Sequence, residues 1–522
     1  MASGITDARS VKIDGDTLTL EQARAVAHEG AAVEIGLDVR PKIDAARAYV
    51  ERIIAEGRVV YGITTGFGKF SDVTIAGSDV LELQRNLILS HCCGVGEPID
   101  AEKTRALMLL RANVLAKGFS GARFLVLETL VEMLNRGLVP VIPSRGSVGA
   151  SGDLAPLAHL AAVMIGEGEA LWQGRRLPGR EAMAAAGIVP LVLEAKEGLA
   201  LINGTQFMTG IGLLALFKAE TIAKCADVAA AMTLEALRGT DAAYLPLTHE
   251  VRPHQGQLAT ARNLMRLLED SEILPGHRDP ASDMKVQDAY SLRCVPQVHG
   301  AAKDALGFVR RMLEVEVNAA TDNPLVFPEA DRVISGGNFH GQPVSQAMDF
   351  LSIALTYTAG ICERRIEYML DPATSDHLPA FLTRWGGLHS GMMIAQVTAA
   401  ALVSENKTLA HPACVDSIPT SANKEDYVSM GAYAARKADD VCQNALVVLA
   451  VELLCAAQAL EFGKGLRPGR GVEAARRVIR ARVPPLEADR PQTPDIETIA
   501  RLVLEGDLLR AVEDAVGVLE LG

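Results

Sequence analysis

The sequence SRGSVGASGDL, residues 144–154, holds three glycines and three serines together with an aspartate near its end. Glycine has no Cβ, so its backbone reaches positive φ angles and bends where other residues cannot. A tight bend at Ala150, Ser151 and Gly152 would bring the Gly152 nitrogen onto the Ala150 carbonyl carbon, and cyclisation there would release water. Loss of a second water from Ser151 would leave a methylidene-imidazolone (MIO), an electrophile made from the chain itself.

The tripeptide alone is more typical of an ordinary Gly/Ser loop, because short motifs often occur by chance. The longer segment GASGDLAPLAH, residues 149–159, resembles the signature of the MIO-dependent aromatic amino acid lyases. The resemblance extends from about Tyr61 to about Met430 and is weaker on both flanks. It implies that MIO forms from Ala150-Ser151-Gly152 without any external cofactor. It also implies a homotetramer in which three subunits build each active site.

Composition and patterning predict a mainly α-helical fold. The 522 residues are 49% hydrophobic, 22% charged and only 4% aromatic, a balance that favours packed helices in two or more domains. From Lys196 the chain becomes a run of long, Ala-rich helices that continues to about Ala457. We therefore predict a smaller N-terminal α/β domain at residues 1–200, which carries the MIO loop, and a long-helix bundle at residues 201–522.

Charge and hydropathy exclude several classes of partner. The net charge is −13 and no dense basic run occurs, so neither nucleic acid nor an anionic membrane is an expected partner. The segment Met1–Ser10 lacks the apolar core of a signal peptide. Glu452 and Gln458 interrupt the most hydrophobic segment, Ala445–Leu460, which we interpret as a buried helix.

Cysteine and histidine usage predicts a cytoplasmic protein without a metal site. None of the eight cysteines forms a C-x-x-C pair, which favours free thiols in a reducing compartment. The eleven histidines are scattered, with no H-x-x-x-H motif or Cys/His cluster.

Helix signals surround the MIO loop on both sides. Thr19 is a candidate N-cap, and a break at residues 118–121 divides two helices. The predicted helices are Asp44–Glu56, one from Leu83 that stops at Gly94 and Gly96, Thr104–Leu138 with that break, and Leu154–Ile165. The ring would then lie near a helix N-terminus, where backbone N–H groups favour negative charge. Residues 166–196 are predicted to form a small β-rich insertion.

Two tyrosines and an arginine are candidates for chemistry and substrate binding. Tyr61 follows a valine at the start of a glycine-rich loop and would ordinarily be a half-buried aromatic; the resemblance makes it the catalytic base, and Tyr290 matches the family's second tyrosine. Gln287, Tyr290 and Arg293 repeat at three-residue spacing, which predicts one helical face. The alternative for each is a solvated helix start. The planar fork of Arg293 can pair both oxygens of a carboxylate.

Asn203 and Phe339 are further candidates for the substrate pocket. Without the resemblance, Asn203 would be a helix-interior amide bonded to a neighbouring helix. The resemblance makes it a contact to substrate or ring, and it makes Phe339 the pocket aromatic.

Three positions point to histidine among the aromatic amino acids. The resemblance places Ser90-His91 where the phenylalanine- and tyrosine-specific members carry an aromatic residue or His followed by Leu, and His340 where the phenylalanine enzymes usually carry Gln. Glu425 matches a pocket glutamate of the histidine-specific members, where a carboxylate can bond an imidazole N–H and stabilise its charge. Lys424 and Tyr427 depart from this pattern, since the histidine-specific members usually have Gln and His there.

The resemblance implies non-oxidative elimination of ammonia from L-histidine to give trans-urocanate, the first step of histidine degradation. One alternative is a lyase or 2,3-aminomutase for phenylalanine or tyrosine. A second is a serine hydrolase that uses Ser151, although Asp153 replaces the last glycine of G-x-S-x-G. A third is a non-catalytic helical scaffold, for which no dehydration of the chain is expected.

Overall fold

The computed structural model describes residues 10–66, 70, 75, 79–277, 287–375, 377–463 and 465–522. The first nine residues of the predicted N-terminal domain therefore lie outside the described part.

Helices dominate the described part of the chain. They are α1 (Leu20–Arg24), α2 (Val39–Ala55), α3 (Val80–His91), α4 (Ala101–Ala116), α5 (Phe124–Arg136), α6 (Leu154–Met164), α7 (Gly179–Ala185), α8 (Glu197–Ile202), α9 (Gln206–Ala236), α10 (Pro246–Glu250), α11 (Gln255–Leu267), α12 (Tyr290–Arg293), α13 (Val295–Glu316), α14 (Gln342–Leu370), α15 (Pro372–Ser375), α16 (Met393–Leu409), α17 (Gly431–Leu460), α18 (Arg470–Arg480), α19 (Thr493–Leu504) and α20 (Asp507–Val516). A π-helical turn, Ala25–Glu29, follows α1. Short 3-10 turns occupy Asp241–Tyr244, Leu274–His277, Ala380–Leu382 and Ser421–Asn423.

The strands are short and form small separate sheets. They are β1 (Ser10–Ile13), β2 (Ala32–Ile35), β3 (Val95–Pro98), β4 (Val139–Pro140), β5 (Pro143–Arg145), β6 (Glu169–Trp172), β7 (Arg175–Pro178), β8 (Leu325–Phe327) and β9 (Arg332–Ile334). β1 and β2 pair in parallel, whereas β3–β5, β4–β6–β7 and β8–β9 pair antiparallel.

The prediction of a mainly α-helical protein with long helices is confirmed. Helices α9, α14 and α17 have 31, 29 and 30 residues. The Thr19 cap is also confirmed, since its side chain accepts from the Gln22 backbone N–H in a capping box. The predicted break between α4 and α5 is present, and α6 begins two residues after Gly152.

The described residues divide into two compact units that are discontinuous in sequence. The first unit is Met1–Leu214, Arg311–Asp349 and Pro412–Arg436; the second is Ala215–Arg310, Phe350–His411 and Lys437–Gly522. The continuous division near residue 200 remains a prediction.

Part of the first unit's core anchors the loop of Tyr61. Side chains of α2 pack with Ile63 and with Val326 of β8 in one buried cluster. Because Ile63 is 1% exposed, it holds the turn that begins at Tyr61 against this core.

Helix α17 is the one helix among the described residues long and apolar enough to cross a membrane, yet 78% of its apolar window is buried within the protein. This confirms the interpretation of Ala445–Leu460 as a buried helix. All eight cysteines lie in the described part and are free thiols, four of them buried.

Glu235 of the second unit is a buried carboxyl group. It is 1% exposed, and both of its oxygens lie 3.0 Å from the Gly469 backbone nitrogen that donates to them. Burial raises the pKa of Glu235 from 4.5 to about 7, against opposing hydrogen bonds from Ser271 and Gly469. Between these two values the folded state keeps a proton that the unfolded state has released. The free energy of unfolding therefore falls as the pH rises through this range.

We expect Glu235→Gln to gain stability over the parent chain as the pH rises from 4.5 to 8, by about 3 kcal/mol in the free energy of unfolding. Glutamine has nothing to ionise, and its oxygen can still accept from Gly469. Urea unfolding at both pH values measures the difference, with the exposed Glu329→Gln as control. A stability difference that does not change with pH would contradict the expectation.

Candidate active site

The loop that carries Ala150, Ser151 and Gly152 is tightly enclosed within the first unit. Gly149 and Gly152 have φ angles of +66° and +73°, a region that favours glycine. A Cβ on Gly149 would lie 2.2 Å from the Ser429 hydroxyl oxygen, and one on Gly152 would lie 2.2 Å from the Gly204 carbonyl oxygen. Both positions therefore require glycine, and Ala150 and Ser151 between them have little freedom to relax.

Hydrogen bonds hold this loop from several directions. Ser429 Oγ donates to the Gly149 carbonyl at 3.0 Å, and the Met430 N–H donates to the Val148 carbonyl at 2.8 Å. On the other side, Gly152 forms a parallel bridge with Gly204, whose carbonyl accepts from the Asp153 N–H at 2.7 Å. Hydrogen bonds thus hold the loop between the end of α8 and the segment before α17.

Asn203 ends α8 beside this bridge. Its Nδ2 donates to the Asn323 carbonyl at 2.8 Å, whereas its buried Oδ1 has no hydrogen-bond partner among the residues that the structure describes. An unpaired buried acceptor costs free energy. The amide oxygen is therefore available to a donor that the chain itself does not supply.

A buried arginine braces the turn after α8. Arg111 of α4 is 0% exposed and donates to the carbonyls of Ala200 and Asn203 at 2.9 and 2.8 Å, and also to Gln206. Burial lowers the pKa of Arg111 to about 10, against the charges of Asp322 and Asp153. The guanidinium thus keeps its charge at neutral pH and holds the Asn203 backbone.

Asp153 lies directly after the tripeptide and is fully buried. Its carboxylate accepts from the Met208 N–H at 3.0 Å and from the Ser147 hydroxyl at 3.2 Å. Burial raises the pKa of Asp153 to about 7, against these hydrogen bonds and the charge of Arg111. The group couples the loop of Ala150, Ser151 and Gly152 to the start of α9.

Ser151 and Glu425 are in direct contact. The Ser151 hydroxyl donates to Glu425 Oε1 at 3.0 Å, and the Thr420 hydroxyl donates to Oε2 at 2.6 Å. Each carboxylate oxygen is therefore held by one hydroxyl, which orients Glu425 toward the serine of the tripeptide.

The segment before Glu425 is a strained left-handed turn. Ser421, Ala422 and Asn423 have φ angles of 51°, 52° and 65°, and a Thr420–Glu425 bridge closes the turn at its base. Left-handed backbone at non-glycine residues costs about 1–2 kcal/mol per residue and clusters at functional sites. Lys424 is exposed in this turn.

His91 ends α3 in a defined tautomer. Its Nδ1 lies 2.8 Å from the Leu87 carbonyl, which can only accept, so Nδ1 carries the proton and Nε2 is left as an acceptor. Burial lowers the pKa of His91 below 6.5, although the bond to Leu87 and the nearby charge of Glu425 act in the opposite direction. A neutral His91 and an oriented Glu425 are thus electrostatically coupled.

His340 follows Phe339, which is half-buried. The His340 ring stacks on Tyr427 at a centroid distance of 6.0 Å, and its Nε2 lies 3.3 Å from the Tyr427 carbonyl. Tyr427, one of the two departures from the expected pattern, therefore contacts the residue that follows Phe339.

The remaining predicted residues are Tyr61, Gln287, Tyr290 and Arg293. Tyr61 is half-buried at the turn that contains Ile63, and a Cβ on the next residue, Gly62, would lie 2.8 Å from Leu199 and 3.1 Å from Pro324. Gln287, Tyr290 and Arg293 belong to the second unit.

The predicted helical face of Gln287, Tyr290 and Arg293 is wrong. Helix α12 begins at Tyr290, so Gln287 precedes it. The physical reason is that Asp288 accepts a hydrogen bond from the Thr240 N–H at 2.8 Å with its side chain and from Arg293 Nε at 3.1 Å with its carbonyl. The Arg293 guanidinium carbon lies 4.4 Å from the centroid of the Tyr290 ring.

The model of the family described as aromatic amino acid lyase matches residues 18–481, most of the chain.

The chain belongs to the aromatic amino acid lyase family.

Relatives within the family cover nearly the whole chain. A histidine ammonia-lyase of Alkaliphilus oremlandii is 54% identical over 508 residues, which is 97% of this chain and 99% of that protein. The crystal structure of histidine ammonia-lyase from Trypanosoma cruzi has a TM-score of 0.90 at 44% identity and covers 97% of this chain and 96% of that one. Tyrosine aminomutase from Streptomyces globisporus has a TM-score of 0.92 at 41% identity, with 98% and 100% covered.

Membership leaves the hydrolase and scaffold alternatives without support, because the matching family model describes aromatic amino acid lyases. Sequence reasoning missed Arg111 and Thr420 in this lyase and gave Asp153 no role of its own. A charged residue within the apolar run of α4 was the available signal for Arg111, and Thr420 offered none. In the described part of the chain, no three His, Cys, Asp or Glu side chains are grouped as a metal site would need.

Proposed function

We propose that this lyase eliminates ammonia from L-histidine and releases trans-urocanate. The observation that carries the proposal is the Ser151–Glu425 contact, with neutral His91 coupled to the same carboxylate. These are the groups that an imidazole requires next to the reacting serine. The proposal is further supported by the relatives named histidine ammonia-lyase at about half identity over nearly the whole chain.

We also propose that Ala150, Ser151 and Gly152 form MIO. Two observations fit this group: glycine is required on both sides of Ala150-Ser151, and the buried Oδ1 of Asn203 lacks a donor among the described residues. Once formed, MIO supplies an electrophilic methylidene carbon that activates the substrate for loss of ammonia.

The imidazole of the substrate would lie against His91 and Glu425. His91 Nε2 is an acceptor, so it can bind the imidazole N–H without carrying a charge of its own. The Glu425 carboxylate can accept a second N–H and stabilise positive charge that develops on the ring. A phenyl ring offers no N–H to either group, so phenylalanine gains neither hydrogen bond and is disfavoured relative to histidine.

Proton removal and carboxylate binding are assigned by the resemblance. Tyr61 is the proposed base for the β-hydrogen, and Tyr290 is the second catalytic tyrosine. Arg293 would hold the substrate carboxylate, assisted by Gln287, while Phe339 would line the pocket. We propose a homotetramer with shared sites, which light scattering on the purified protein tests. The cytoplasmic location remains a prediction.

The remaining alternative is an aminomutase or a lyase for another aromatic amino acid. The similarity to tyrosine aminomutase is the observation that supports this alternative. Incubation with L-histidine, L-phenylalanine and L-tyrosine, followed by separation of the products, distinguishes the two. Release of urocanate and ammonia from histidine alone is expected, whereas a β-amino acid or preferential turnover of tyrosine would overturn the proposal.

A further inference from the structure

Helix α12 has only four residues, and Cys294 alone separates it from the start of α13. A helix of this length is unstable in water by itself, so α12 depends on the groups around it. It nevertheless carries Tyr290 and Arg293, so neighbouring groups must hold its backbone in place.

Two fully buried side chains contact the carbonyl groups of this helix. The Tyr244 hydroxyl donates to the Leu292 carbonyl at 2.8 Å, and Arg365 Nη1 lies 3.4 Å from the Ser291 carbonyl. Tyr244 and Arg365 are both 0% exposed, and Leu292 is 1% exposed. Water therefore cannot readily replace either donor.

Arg365 is itself held by a buried ion pair. Its Nε and Nη2 donate to the two oxygens of Glu452 at 2.5 and 2.9 Å, and Glu452 is also 0% exposed. The Thr233 hydroxyl donates to the same carboxylate at 2.9 Å. A charge pair with these additional bonds gives the guanidinium one position, in which Nη1 faces both the Ser291 carbonyl of α12 and His299 Nε2, each 3.4 Å away.

Tyr244 remains a hydrogen-bond donor throughout the working pH range. Burial raises the pKa of its phenol well above the ordinary value of 10, although the charge of Arg365 acts in the opposite direction. The proton that binds the Leu292 carbonyl is therefore retained.

We propose that Tyr244 and Arg365 are positioning residues that hold α12 so that Arg293 and Tyr290 can engage the substrate carboxylate. The inference rests on the proposed function, which assigns Arg293 to that carboxylate. Small displacements of a binding group reduce affinity and rate strongly, so the support of a four-residue helix affects both.

Tyr244→Phe removes one oxygen and with it the side-chain donor to the Leu292 carbonyl. We expect the KM for L-histidine to rise about tenfold, which is the scale of one lost buried hydrogen bond. Inhibition by L-histidinol, which has an alcohol in place of the carboxylate, should stay within about twofold of the parent. Tyr368→Phe, in the same unit, is the matched control and should change neither value. The intact mass should show the same loss of water as the parent chain.

Amide hydrogen exchange gives a readout independent of turnover. The Arg293 and Cys294 N–H groups donate to Ala289 and Tyr290 within this helix, and Tyr244→Phe should accelerate their exchange. If the Tyr244→Phe variant does not fold, Arg365→Lys takes its place in this measurement. It keeps the positive charge opposite Glu452 but loses the planar guanidinium group, and it should also accelerate the exchange.

Unchanged exchange and an unchanged KM would overturn the inference, as would equal losses for histidine and histidinol. If the parent enzyme does not turn over histidine, the proposed function fails, whereas the exchange measurement still reports on the support of α12.

Discussion

Replacing Ser151 with alanine is expected to lower turnover of L-histidine by about 10³-fold or more, because the variant has no hydroxyl to lose as water and cannot generate the methylidene carbon. The parent chain should have an intact mass two water molecules below that of its translated sequence. The Ser151→Ala variant cannot lose the water that Ser151 supplies, so its mass should lie at most one water below that of its own translated sequence. Intact-mass spectrometry and steady-state kinetics on the same preparation test both expectations.

Ser144→Ala is the matched control, because Ser144 lies in the same glycine-rich stretch, in β5 and outside the tripeptide. It should retain both the mass deficit and the activity. A fully active Ser151→Ala variant, or an active parent chain at the undehydrated mass, would contradict the assignment of the tripeptide.

The parts of the fold that follow from local patterns could be predicted. Thr19 caps α1 because a hydroxyl at that position satisfies an otherwise free amide, and α6 follows the loop of residues 150–152 because its apolar run has helical spacing. The break between α4 and α5 follows from glycines at residues 118 and 121, both with positive φ. Each feature depends on residues close together in the chain.

The contacts that shape the site depend on residues far apart in sequence. Gly152 requires glycine because Gly204 lies against it, and nothing near residue 152 reveals that neighbour. Arg111 donates to Asn203 across more than ninety positions, so its role appears only when α4 and α8 are packed. The three-residue periodicity also wrongly placed Gln287 in a helix. The Asp288 side chain accepts a hydrogen bond from the Thr240 N–H, and α12 begins only at Tyr290.

The structure shows where the two residues that depart from the pattern of histidine-specific members lie. Lys424 is exposed in the left-handed turn, and Tyr427 stacks on His340. Neither makes a described hydrogen bond to the Glu425 carboxylate, whose two oxygens accept from Ser151 and Thr420. The argument for histidine therefore depends on Glu425 itself, which makes its charge the feature to test.

Replacing Glu425 with glutamine is expected to reduce kcat/KM for L-histidine by about 100- to 1,000-fold, the loss typical of removing one preorganised electrostatic group from an active site. Glutamine has nearly the same shape but presents one acceptor oxygen and no charge, so it cannot stabilise a positive imidazole. Any residual turnover of L-phenylalanine should fall far less, because a phenyl ring neither donates to the carboxylate nor acquires charge there. Steady-state kinetics with both amino acids measure the ratio.

Asp426→Asn is the matched control, since it removes an exposed carboxylate from the adjacent position and should leave the ratio unchanged. The intact mass of Glu425→Gln separates two causes of a loss. A variant that is still two waters lighter than its sequence has lost substrate recognition, whereas an undehydrated variant has lost the electrophile because Ser151 needs its carboxylate partner. Equal losses for histidine and phenylalanine in a fully dehydrated variant would mean that Glu425 serves the reaction in general and does not select the imidazole.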